Sequence, residues 1–74
     1  MSPEQMEQRL KSFFPDGEVR VVDLTGGGDH YEVFVRSSAF AGMSRIDQHK
    51  KVMSAFAAEL KTGEVHALAI KTQT

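Results

Sequence analysis

The stretch EVRVVDLTGGGDHYEVFVR, residues 18–36, decides the fold. Glu18 to Leu24 is short and rich in valine, which predicts a strand. Its alternation slips at Val21-Val22, leaving open a bulge or burial on both faces. Thr25-Gly26-Gly27-Gly28-Asp29 is a flexible connection, and His30 to Arg36 then alternates cleanly. Tyr31, Val33 and Val35 point one way, while His30, Glu32, Phe34 and Arg36 point the other. Two such runs joined by a glycine-rich loop read as an antiparallel hairpin.

Outward from the hairpin the chain is helical on both sides. Ser2-Pro3-Glu4-Gln5 is a helix start, with serine as cap, proline in the first turn and a glutamine placed to close a capping box. Met6, Leu10, Phe13 and Phe14 follow at helical spacing, and Pro15-Asp16-Gly17 ends the helix in a turn. Beyond the hairpin, Ser37 to Met43 is a compact connection. Ser44 caps a second helix whose apolar positions are Ile46, Val52, Met53, Phe56, Ala57 and Leu60. Lys61-Thr62-Gly63 stops it. Val65 to Lys71 returns to strand, with His66, Leu68 and Ile70 on one face.

The order is helix, strand, strand, helix, strand. The long second helix makes a crossover between parallel strands, a connection that is overwhelmingly right-handed. An α/β (α+β) two-layer sandwich follows, with a three-stranded sheet and both helices on one face. With 74 residues there is room for a single domain, residues 1–74, and one modest core. A hydrophobic fraction of 41% and a charged fraction of 26% fit a globular chain.

The absence of cysteine excludes disulfides, zinc-thiolate sites and a cysteine nucleophile. No apolar run approaches the roughly 18 residues that span a bilayer. The amino terminus carries no basic-then-apolar leader. A cytoplasmic protein with no membrane association is expected. The formal charge of −1 gives no overall attraction to phosphates.

Three histidines carry what chemistry there is. His49 falls between Ile46, Met53, Phe56 and Leu60, near the centre of the helix's apolar stripe, and reads as a hydrogen-bonded structural residue of the core. His30 opens the second strand and His66 the third. If those strands are parallel and adjacent, both imidazoles arrive at one sheet edge beside the glycine loop, although 36 positions separate them. Half-exposed strand-end histidines without a special role satisfy the same pattern. Two imidazoles are fewer than the four protein ligands of a structural zinc site, but they suit one half of a shared site. Gly26-Gly27-Gly28 lacks the spacing and following helix of a phosphate loop. Arg45, Lys50, Lys51 and Lys61 lie mostly off the apolar stripe, as a solvated face or a docking surface for an acidic partner.

Asp29-His30-Tyr31-Glu32-Val33, then Ser37-Ser38-Ala39-Phe40-Ala41-Gly42-Met43-Ser44-Arg45, then His49-Lys50, and finally Val65-His66-Ala67-Leu68-Ala69-Ile70-Lys71-Thr72 resemble, in order, the signatures of the BolA family. The resemblance runs over roughly two-thirds of the chain. It implies a type II KH-like fold and a monothiol glutaredoxin as partner, with a 2Fe–2S cluster shared between the two proteins. The glutaredoxin's cysteine and a glutathione thiol supply thiolates, and the histidine of the His-Ala-Leu motif, here His66, supplies a nitrogen. In many members the hairpin loop gives a second ligand, cysteine or histidine. Here the loop is Gly26-Gly27-Gly28-Asp29; His30 is the nearest candidate and Asp29 a weak substitute. Residues 26–29 together with Lys50 and Lys71 are the expected partner-binding positions.

The resemblance thus implies an adaptor in iron–sulfur trafficking or iron sensing. The alternative is a KH-like nucleic-acid-binding transcriptional regulator, although no Gly-x-x-Gly occurs. A stand-alone enzyme ranks last, since no nucleophile–base constellation or cofactor motif is present.

Overall fold

The computed structural model describes residues 1–74. Its elements are α1 (Pro3–Phe13), β1 (Glu18–Asp23), β2 (His30–Arg36), a single 3-10 turn at Ser38–Phe40, α2 (Arg45–Ser54), α3 (Ala57–Thr62) and β3 (Ala67–Gln73). The capping box on α1 forms as its residues dictate. The Ser2 hydroxyl accepts from the Gln5 amide at 3.1 Å, and the Ser2 amide donates to the Gln5 side chain at 2.9 Å.

The sheet order is β1-β2-β3, antiparallel for the first pair and parallel for the second. Its register runs from Asp23 opposite Tyr31 to Glu18 opposite Arg36 with no bulge at Val21-Val22. Val21 goes inward and Val22 stays exposed. On the other side His30 pairs with Ala67 and Arg36 with Gln73. Met6, Leu10 and Phe14 of the α1 region, Tyr31, Val33 and Val35 of β2, and Phe40, Val52, Ala55, Phe56 and Val65 make one core with Val21. Burying this apolar surface on one side of the sheet is the main stabilising term. The opposite face of the sheet carries Arg20, Glu32, Phe34, Ala69 and Lys71.

The second helix departs from expectation: it is broken at Ala55–Phe56. The Ala55 and Phe56 amides donate to the carbonyls of Val52 and Met53 at 3.1 and 3.0 Å, which tightens the backbone and ends α2. Phe56 leaves the helical region (φ −121°, ψ 22°) and starts α3. The redirection lets Val52, Ala55 and Phe56 all enter the core, while Met53 stays 44% exposed and Ile46 67% exposed. Arg9 of α1 stabilises the break. Its guanidinium donates to the freed Ala55 carbonyl at 3.2 Å and to the Glu59 carboxylate, and lies 5.6 Å from the Phe56 ring centre. Accordingly the Glu59 carboxyl is held below its ordinary range, chiefly by that hydrogen bond.

The break also corrects the reading of His49. With Ile46 and Met53 in solvent, the buried side of α2 is the one carrying Gln48 and Val52. His49 is half-buried and sits outside the core, beside Arg45, Ile70, Lys71 and Thr72. Likewise β3 begins at Ala67, so His66 precedes the strand and is exposed. Leu68, Ile70 and Thr72 form the half-buried face.

Candidate functional site

The β1–β2 loop is shaped by one carboxylate. Asp23 accepts through Oδ1 from the amides of Thr25 (3.2 Å) and Gly26 (2.9 Å), and through Oδ2 from Gly28 (3.0 Å). Gly26 and Gly28 both adopt left-handed φ, 76° and 75°, which an L side chain rarely takes. The turn is thereby curled back, and Asp29 emerges facing the start of β3. There the Asp29 carbonyl accepts from two amides at once, those of His66 (2.9 Å) and Ala67 (3.3 Å). The loop is therefore tied to the strand that carries the second histidine. From the other side Gly63, left-handed at φ 84°, ends α3 and turns the chain toward His66. A Cβ at Gly63 would lie 3.8 Å from the His66 ring.

Parallel pairing of His30 with Ala67 sets the two imidazoles side by side at one end of the sheet. The ring centres are 6.1 Å apart and the planes nearly perpendicular. Asp29 stands between them, its Oδ2 3.7 Å from His30 Nε2 and 3.9 Å from His66 Nδ1. One ligand atom from each of Asp29, His30 and His66 falls within 4.8 Å of the others. All three side chains are open to solvent, 40%, 46% and 59% exposed respectively. The Thr25 hydroxyl donates to the other Asp29 oxygen, Oδ1, at 2.9 Å. That bond, opposed by partial burial and aided by the nearby imidazoles, holds the Asp29 carboxyl below its ordinary range. Beneath the site, the buried Tyr31 hydroxyl donates to the Met1 carbonyl. Burial first, then the charges of Asp23, Asp29 and Glu64, push its phenol up.

Such an arrangement presents two nitrogen lone pairs and a carboxylate oxygen on an open surface. It has too few ligands to close a four-coordinate site alone and enough room for a second molecule to complete one. Of the expected positions, the structure brings together His30, His66, Asp29 and the Gly26–Gly28 loop. It does not bring Lys50 or Lys71 there. Lys71 pairs in register with Phe34, four residues further along the sheet from the histidines, and its ammonium lies 3.7 Å from Glu32. Lys50 is exposed on α2. Sequence reading passed over Asp23, whose signal was available. An aspartate two and three residues before the amides of a Thr-Gly pair is the pattern of a side chain closing a turn.

No helix is long and apolar enough to cross a membrane. The family model described as BolA-like protein matches residues 2–74. An uncharacterized protein of Rickettsia prowazekii is 38% identical over 72 residues, covering 97% of this chain and 92% of that one. The DNA-binding transcriptional regulator BolA of Escherichia coli is 33% identical over 81 positions, covering 100% and 76%. Among solved structures, the BolA domain of SufE1 from Arabidopsis thaliana superposes with a TM-score of 0.87 at 28% identity, covering 97% and 90%. A helical layer on a three-stranded mixed sheet is thus shared with that solved domain, and the chain belongs to the BolA-like protein family.

Proposed function

We infer that the chain is an adaptor that binds a monothiol glutaredoxin and shares a 2Fe–2S cluster with it, in iron–sulfur trafficking or iron sensing. The observation that carries this reading is the pair of solvent-facing imidazoles, ring centres 6.1 Å apart, at the end of the sheet next to the glycine loop. Family membership supports it through the resemblance at His66-Ala67-Leu68. His66 gives a nitrogen to one iron, and His30, from the loop end of β2, gives the second. The glutaredoxin cysteine and the glutathione thiol complete the set from the other side. Neutral imidazole is a good iron ligand, and replacing thiolates with histidines raises a cluster's potential. The curled loop and the Gly63 turn keep the surface clear, which a cluster held mostly by another molecule requires.

The experiment mixes the chain with a monothiol glutaredoxin, iron, sulfide and glutathione and records the visible bands of the complex. His66→Ala is expected to abolish the bands of the mixed species and His30→Ala to shift them. Spectra unchanged in His66→Ala would overturn the reading.

A second reading rests on the relative from E. coli, whose name describes DNA binding. Arg45, Lys50 and Lys51 on α2 would then meet phosphates. Tight binding of the cluster-free chain to duplex DNA, weakening steeply with salt, would favour it.

A further inference from the structure

We propose that the isolated chain, without any partner, binds one divalent transition-metal ion of the zinc, iron(II) or cobalt(II) class through Asp29, His30 and His66. The donor set selects that class. Two imidazoles with one carboxylate suit first-row transition ions, and leave open positions for water. Magnesium and calcium prefer sites made of oxygen alone.

The geometry is close to what such an ion needs. In a tetrahedral shell, ligand bonds of about 2.0–2.2 Å place neighbouring ligand atoms about 3.3–3.6 Å apart. Here the carboxylate oxygen stands 3.7 and 3.9 Å from the two ring nitrogens. All three ligand atoms lie within 4.8 Å of one another, and rotations of three exposed side chains bring them to one ion. The frame around them is already fixed. Asp29 is anchored by its own carbonyl, which accepts the His66 and Ala67 amides, so its side chain is not needed to hold the loop on β3. The Thr25 hydroxyl engages Oδ1, leaving Oδ2 directed toward the imidazoles. A hydrogen bond on the outer oxygen of a ligating carboxylate is the usual outer-shell support of a metal site.

The local field favours a cation as well. A second carboxylate, that of Asp23, lies in the same loop, where it accepts from the Thr25, Gly26 and Gly28 amides. With three protein ligands and half-exposed side chains, the site suits an exchangeable ion and not a structural one. An ion held there occupies the same nitrogen lone pairs that a shared cluster needs. That last consequence, that free metal competes with cluster assembly, rests on the glutaredoxin reading; the binding itself does not.

The test titrates the untagged chain with cobalt(II) chloride and follows the visible ligand-field bands, then displaces cobalt with zinc. One ion per chain is expected, displaced by zinc and not by millimolar magnesium. Asp29→Asn, His30→Ala and His66→Ala are each expected to weaken binding by at least about tenfold. In parallel, the ring-proton signals of His30 and His66 should move on adding zinc while those of His49 stay in place, a readout independent of variant folding. Absence of cobalt bands, unaltered affinity in Asp29→Asn, or equal movement of all three histidines would overturn the proposal. Because no glutaredoxin is present, failure here is distinct from failure of the mixed complex to form.

Discussion

Truncating Phe56 tests the broken helix directly. Phe56 has no exposed surface, packs with Val52 and Ala55, and lies beneath the Arg9 guanidinium. Removing a buried phenylalanine costs about 3–5 kcal/mol. A chain of this length has about 4–11 kcal/mol of total stability at about 0.05–0.15 kcal/mol per residue. Phe56→Ala therefore consumes a large share of it, and Phe56→Leu, which keeps most of the volume, less. Met53 lies on the same stripe if the helix is continuous, yet here it is 44% exposed. Met53→Ala should cost no more than about 0.5 kcal/mol. Urea denaturation followed by circular dichroism gives all three values on one scale, with slopes checked for constancy. In melting temperature, at about 4–8 °C per kcal/mol, Phe56→Ala should fall by more than about 12 °C and Met53→Ala by only a few degrees. Equal losses at positions 53 and 56 would refute the break, because they would place both side chains in the core.

Four further outcomes follow from the loops. Gly26→Ala meets no neighbouring atom but keeps a left-handed φ, and should cost about 1–2 kcal/mol in urea titration. Gly28→Ala adds a contact 3.5 Å from the Tyr31 hydroxyl and should cost at least as much. Asp23→Ala removes the acceptor of three amides; hydrogen exchange at Thr25, Gly26 and Gly28 should accelerate while the β2–β3 amides keep their protection. Asp16 accepts from the Ser38 and Ser37 hydroxyls and the Ser38 amide, which hold its carboxyl below the ordinary 3.8. Its contribution is fully present above that value and is lost as pH falls through the lower folded value. Asp16→Asn should therefore flatten the loss of stability below about pH 4 in acid titration, and an unchanged slope would show those bonds to be weak in solution.

Much of this was written in local pattern. The Ser2–Gln5 capping box and the bounds of β2 need only short-range rules, because serine, proline, glutamine and alternating valines act on their immediate neighbours. The meeting of His30 with His66 needed topology as well. A helix between the second and third strands supplies the crossover that a parallel pair needs, and a parallel pair puts the two strand starts at the same end. The break at Ala55–Phe56 was not legible, since the donor that satisfies the freed carbonyl is Arg9, 46 positions away. His49 was misplaced for the same reason. Counting 3.6 residues per turn treats Ile46 and Met53 as buried, whereas the docking of α2 on β3 runs through Gln48, whose side chain accepts from the Thr72 hydroxyl. Lys50 and Lys71 entered the expected partner-binding set with the resemblance, and the sheet register sets Lys71 opposite Phe34, four places along β2 from His30.

The doubly engaged Asp29 carbonyl has a mechanical meaning. It acts as a rivet between hairpin tip and strand, so the separation of the two imidazoles is inherited from sheet register and does not drift with the swing of the tip. Substitutions at residues 25–28 can retune what the tip offers to a visitor without resizing the gap between His30 and His66. A one-residue slip of β3, in contrast, would throw His66 to the far side and dismantle the pair at a stroke.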